Sequence, residues 1–220
     1  MYRPAFLFSS ILAFLFTFLQ LQLAYAQQNW TLSVNQEGIQ VYTRPVADSK
    51  IKAVRVVSML PATTTQAIAA ILDIQTCNEW VYHSKQNVLI KQLSPLDLIY
   101  YAEVEVPWPA ENRDYVVHVQ VTQNAQTKVV TVNSPCIPGY VAEKKGIVRI
   151  SRSVGKWTIT PAGKNQVRAE YVLEVDPMGT IPAWLINLFA TKGPTETFRK
   201  LKLHVQKEVY KKAEFAAITN

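Results

Sequence analysis

Histidine, cysteine and glycine are scarce in this chain: three, two and seven among 220 residues. His83, His118 and His204 stand far apart, and no H-x-x-x-H step or Cys/His spacing suggests a metal site. No serine elbow, phosphate loop or dinucleotide fingerprint occurs. Nothing in the pattern therefore calls for a metal, a cofactor or a covalent intermediate, and the chain reads as a non-enzyme. Long basic runs are missing too, so the net charge of +7 gives no grip on nucleic acid; a mild preference for anionic membrane is the most it supports. Glu103 and Glu105 lie on one strand face and invite an acid–base reading, but they alternate with apolar residues and are expected at a solvated edge.

Long apolar runs are absent with one exception. Residues 5–19 form an almost unbroken apolar stretch rich in Phe and Leu after Arg3, and Ala24-Tyr25-Ala26 puts small residues where a signal peptidase reads. Residues 1–26 are accordingly expected to be a signal peptide; an uncleaved anchor is the alternative. The mature chain, 27–220, would be one domain of an exported, periplasmic or extracellular protein. Cys77 and Cys136 are the only cysteines, and their spacing leaves open whether they pair.

What the chain has in quantity is alternation. Ranges 38–44, 52–60, 87–93, 98–106, 113–123, 127–134, 146–152, 154–161 and 166–176 read as strands separated by turn residues. In 98–106, Leu98, Tyr100, Ala102, Val104 and Val106 share a face; in 166–176, Val167, Ala169, Tyr171, Leu173 and Val175 do. A helix follows Pro61 and its threonines, with Ala67, Ile68, Ala70, Ile71 and Leu72 on its apolar side. A shorter helical piece falls near Glu79–Tyr82. The end, from about Pro182 to Lys211, has helical spacing in Trp184, Leu185, Leu188 and Phe189, continued by Phe198, Leu201, Val205 and Val209. Gly193-Pro194 should kink or restart this helix. The simplest packing that buries every apolar face is an α+β domain, a curved antiparallel sheet wrapped around the terminal helix.

Four stretches resemble START domains, the family related to steroidogenic acute regulatory protein. They are Pro107–Val117 (PWPAENRDYVV), Lys145–Arg149 (KGIVR), Asp176–Pro182 (DPMGTIP), and Pro182–Asn187 (PAWLIN) with Gly193-Pro194 beyond it. The last is similar to the terminal helix of the phosphatidylcholine-transferring members, and Asp73 followed by Trp80 also fits. The likeness spans roughly residues 30–212. It implies a helix-grip fold enclosing one lipid or similar hydrophobic molecule, with a transient membrane contact and action as a monomer. Mapped onto this chain, it implies a ligand pocket lined by Val104, Val106, Tyr115, Val117, Val119, Tyr171 and Leu173, capped by Trp184, Leu185, Leu188 and Phe189.

It also implies a lid made by the terminal helix, as the gate of the cavity, and the loop before Gly146. Ser134–Val141 is apolar for a loop; Ile137, Tyr140 and Val141 would touch a bilayer, or the loop folds onto the core. Arg113-Asp114 at a strand entry reads as a pair that fixes a turn or touches a headgroup, or as a surface pair worth little, and the turn role is the one expected. Two departures leave the headgroup open: Val119 stands where sterol-carrying members have a basic residue, and the aromatic cage of the choline-binding member has no residue-by-residue match. Beside a non-catalytic carrier or sensor, the same scaffold admits an enzyme of cyclase or hydrolase type, or a protein-binding module with a filled pocket.

Overall fold

Strand alternation sets the architecture. The computed structural model describes residues 30–46, 51–179 and 181–220; the expected signal peptide lies outside the described residues. Ten strands are described: β1 (Thr31–Gln36), β2 (Ile39–Arg44), β3 (Ala53–Leu60), β4 (Ser84–Ser94), β5 (Asp97–Val104), β6 (Asn112–Gln123), β7 (Val130–Pro135), β8 (Ile147–Arg149), β9 (Arg152–Pro161) and β10 (Val167–Asp176). They form one sheet in the order β1-β2-β3-β10-β9-β7-β6-β5-β4, antiparallel where the register is defined, while the short β8 pairs in parallel with β6. Between β3 and β4 come α1 (Thr64–Leu72), a 3-10 turn at Ile74–Thr76 and α2 (Cys77–Trp80). Thr63 caps α1 in a reciprocal capping box with Gln66, as its threonine run foretold. Leu32–Asn220 form one compact unit, and no described helix is long and apolar enough to cross a membrane. This is the expected helix-grip α+β fold.

The terminal helix departs from expectation in two places. α3 (Ala183–Asn187) passes into a single wide π turn at Leu188–Lys192, then into α4 (Gly193–His204). Pro194 has no N–H and would collide with the carbonyl four residues back in a regular helix. Widening the turn removes that conflict: the Gly193 N–H reaches Leu188 O, five residues away. The irregularity therefore lies just ahead of Gly193-Pro194, and the helix continues through it. At the other end the helix stops at His204 and resumes only as α5 (Glu208–Lys211). That break shifts the phase, so Tyr210 is buried while Val209, expected on the apolar stripe, is exposed.

The second half of this helix is fastened. Phe198, Leu201 and Val205 are fully buried. Arg199 donates Nε and Nη2 to the two carboxylate oxygens of Glu37 at 2.8 and 3.0 Å, and Lys202 donates to the Glu37 carbonyl at 2.6 Å. Glu37-Gly38 is the two-residue turn joining β1 and β2, both residues with positive φ, the conformation a twisted hairpin favours. Gln66 Nε2 donates to Val205 O at 2.6 Å, and the Tyr210 hydroxyl bonds Asp73 at 2.8 Å and the His204 ring at 2.8 Å.

The outer sheet face is less wet than the alternation suggested. Glu103, expected at a solvated edge, is buried and accepts from Lys85 Nζ at 2.8 Å and Asn112 Nδ2 at 2.9 Å. Burial raises its pKa, but the Lys85 ammonium and Asn112 amide outweigh this, leaving it lowered and the carboxylate charged. Arg113 and Asp114 do not pair. They are strand neighbours in β6 and point to opposite faces. Asp114, fully buried, instead accepts from Arg149 Nε at 2.7 Å and Nη2 at 3.0 Å; Arg149 also donates to the carbonyls of Val141 and Ala142. One bidentate pair thus ties β6, β8 and the loop before β8 together. Removing one member leaves the other charge buried and alone, so Asp114→Asn is expected to destabilise the domain by about 3–5 kcal/mol in urea unfolding, far more than Asp176→Asn at the surface pair with Arg152.

Candidate functional site

The helix fills only part of the concave sheet. Between them lies a cavity of about 320 Å³. Alternate strand residues build its walls: Val54 and Val56 from β3, Tyr171, Leu173 and Val175 from β10, Trp157 from β9, Val132 from β7, and Tyr115, Val117 and Val119 from β6. Tyr100, Val104 and Val106 close one side, and Ile71, Ile74, Cys77, Trp80 and Tyr82 come from the α1–α2 segment. The terminal helix contributes Leu185, Ile186, Phe189, Ala190 and Phe198. Trp157 is the floor: its ring stacks on Phe198 at 5.4 Å, lies 4.5 Å from Tyr171 and meets Trp80 edge-on at 6.4 Å. Gly155 makes room there. A Cβ would sit 2.8 Å from Ser134 Oγ and 2.9 Å from the Tyr171 hydroxyl.

Of the residues expected to line a pocket, Val104, Val106, Tyr115, Val117, Val119, Tyr171, Leu173, Leu185 and Phe189 stand on its wall. Trp184 and Leu188 do not. At about 100° per residue the cavity stripe runs through Leu185, Ile186 and Phe189, and Trp184 and Leu188 fall on the neighbouring stripe, the first exposed, the second half-buried. The lid expectation is also corrected. No residue of 135–149 lines the cavity. Ile137 and Val141 pack against Ile99, Tyr101 and Val116 on the outer sheet face, held there by Arg149, and only Tyr140 is exposed. The loop is folded onto a core, because the outer face offered an apolar patch and a buried ion pair to anchor it.

The wall is apolar with a few polar marks. Burial raises the pKa of Tyr100, Tyr115 and Tyr171, so their hydroxyls are neutral. The sequence reading preferred a turn role for Arg113, which lines the cavity and is almost wholly buried. The signal was available: Arg113 has the same parity in β6 as Tyr115, Val117 and Val119. Among the described residues no group of His, Cys, Asp and Glu is placed to hold a metal.

Cys77, on the cavity wall, and Cys136 are free thiols. Burial, reinforced by the Asp73 charge, pushes Cys77 up to about 12; burial pushes Cys136 up to about 11 against Ser153 and Arg149. Above the ordinary thiol pKa of about 8.5 the unfolded chain loses a proton that the folded chain keeps, so stability falls as pH rises from about 9 toward 12. Urea midpoints are expected to decline over this window, less steeply in Cys77→Ala. Maleimide at pH 8 should label Cys77 in the unfolded protein and leave it untouched in the folded one.

Comparison with known proteins bears on what such a cavity is for. The START domain family matches residues 16–211. An uncharacterized protein of Pseudomonas aeruginosa is 31% identical over 82% of this chain and 88% of its own length. Human phosphatidylcholine transfer protein is 27% identical over 78% of this chain and 81% of its own. Among solved structures, a fragment of the STAR-related lipid transfer protein from Xanthomonas axonopodis superimposes with a TM-score of 0.74 at 30% identity, covering 81% of this chain and 99% of that one.

Proposed function

Because the chain belongs to the START family, whose named relatives here are lipid-transfer proteins, we propose that it binds one lipid in the cavity and releases it at a membrane by movement of the first half of the terminal helix, acting as a monomer outside the cytoplasm. The observation that carries this reading is the cavity itself. Its interior is walled by strand faces that an ordinary core would have filled. Burial of apolar ligand surface there is worth about 25 cal/mol per Å². A volume of about 320 Å³ lies within the range of about 300–1,000 Å³ usual for small-molecule sites. Entry and exit of a long-chain ligand need part of the wall to yield.

The helix is built unevenly enough to do so. Among the described residues, the side-chain hydrogen bonds of α3 and the π turn, Thr191 to Asn187 O and Thr195 to Thr191 O, stay within the terminal helix, and none reaches the sheet or the α1–α2 segment. The α4 half has the Arg199, Lys202 and Val205 fastenings. Phe189, against the Tyr82 and His83 rings at 6.3 and 6.2 Å, is the latch between them. Close by the cavity, the turn joining Val106 to Arg113 carries Trp108, 89% exposed, and Trp184 is exposed at the start of α3. Indole rings favour the membrane–water interface, so these two rather than the folded-down loop are suited to touch a bilayer.

Native mass spectrometry of protein purified from its own host tests the reading: one lipid mass per chain is expected, and a bare chain that also fails to take up lipid from vesicles would sink it. Val119→Arg should weaken binding of an apolar ligand more than it lowers stability, since an unpaired charge on the wall opposes a greasy guest; unchanged affinity in a destabilised protein would make the position ordinary core. Phe189→Ala should speed lipid exchange between vesicles at least about threefold by freeing the latch, while Trp108→Ala should slow it by weakening vesicle contact. Equal rates in all three proteins would place the gate elsewhere.

A further inference from the structure

Among the described residues two charged side chains line the cavity, Lys52 and Arg113; both are cationic, and no carboxylate among those residues lines it. Arg113 is 5% exposed. Its Nη1 donates to Glu111 O and its Nη2 to Met178 O at 3.5 Å, while Nε, also buried, has no partner. Carbonyls satisfy hydrogen bonds without neutralising charge. Burial lowers the Arg113 pKa and the nearby Glu111 only partly offsets it. The contrast with Arg149 is direct: that guanidinium, equally buried, has the Asp114 carboxylate bidentate against it. A buried cation lacking a counter-ion is costly, and here the open side of the charge is the cavity.

Position adds to this. The Met178 carbonyl fixes Arg113 to the turn that leads into α3, the end of the cavity where Pro177 and Ile181 stand. Lys52 precedes Val54, which pairs with Leu173 of β10, so it sits beside the strand end that enters the same turn, and it is exposed. The two cations thus mark one rim, and the neutral, aromatic floor at Trp157 lies away from it.

Resting on the reading of the cavity as a lipid site, we infer that it takes an amphiphile with an anionic headgroup, a phosphate or carboxylate, which Arg113 holds at the rim with Lys52 beside it while the chain fills the interior. A guanidinium matches the planar pair of oxygens that either group presents. A neutral sterol or glyceride would leave the Arg113 charge uncompensated and is disfavoured.

The test uses the full, delipidated chain and labelled oleate, phosphatidylglycerol or diacylglycerol in neutral phosphatidylcholine vesicles. Oleate and phosphatidylglycerol are expected to be taken up at least about tenfold more than diacylglycerol. Arg113→Gln should bring the three within about twofold while diacylglycerol uptake persists, which also reports that the variant is folded. Lys52→Gln, at an exposed site, should lower the anionic preference about two- to threefold with an unchanged melting temperature, and carries the test if Arg113→Gln does not fold. Equal uptake of all three lipids by the native chain, or an anionic preference that survives these substitutions, overturns the inference and leaves lipid binding standing. Stabilisation by inorganic phosphate alone as large as by phosphatidylglycerol overturns it in favour of a free-anion site. No uptake of any lipid overturns the underlying reading as well.

Discussion

The stack of Trp157 on Phe198 sets the height of the terminal helix above the sheet. Tyr171 and Trp80 wedge the indole in place, and Leu201 and Val205 continue the contact toward the helix end. At this end helix and sheet are in direct contact. At the other, the strands run on past the reach of the helical side chains, and space opens. A curved sheet long enough to hold β10, β9, β7 and β6 side by side cannot be filled along its whole length by one helix anchored at one end. The cavity follows from that geometry, and Gly155 leaves the room that the Tyr171 ring and the Ser134 hydroxyl take up beside its floor.

The same asymmetry separates stability from function. Fastenings concentrate where Glu37, Gln66 and Asp73 meet the second half of the helix, and the π turn lies ahead of them. Relieving the conflict around Pro194 by a wider turn costs helical regularity at the point where the helix leaves its anchors. The part without anchors is the part that lines the rim, with Leu185, Ile186 and Phe189 turned inward.

Much of this was legible in the sequence because strands with one dry face advertise themselves by period two. β2, β3, β5, β6, β9 and β10 all did. β1 did not: Thr31–Gln36 is a mostly exposed edge strand held by its hairpin to β2, and its alternation is only two apolar residues long, Leu32 and Val34. On the helix the apolar set was read correctly and its phase was not, since Trp184 and Leu188 satisfy the same spacing as Leu185 and Phe189 and only packing decides which stripe turns inward. The outer face of β5 and β6 held the other surprise. Glu103 and Asp114 look like solvent-facing acids in the sequence, and each is buried because a base from elsewhere, Lys85 or Arg149, comes to it. Taking Arg113 and Asp114 as one pair hid both roles; parity along β6 separates them.

The grip of Arg199 and Lys202 on the Glu37-Gly38 turn also constrains how the chain reaches this fold. Those contacts join residues more than 160 positions apart, and Asn220, the last residue, bonds Thr65 at 2.9 Å. The first hairpin of the sheet and the helix that covers the sheet are therefore brought together from segments far apart in the chain. Closing such large loops delays the reward of native contacts, which makes folding slow relative to locally connected proteins. Until Arg199 to Val205 have left the ribosome there is no grip, so the strands made before them stay uncovered, an open sheet unable to trap a hydrophobic molecule.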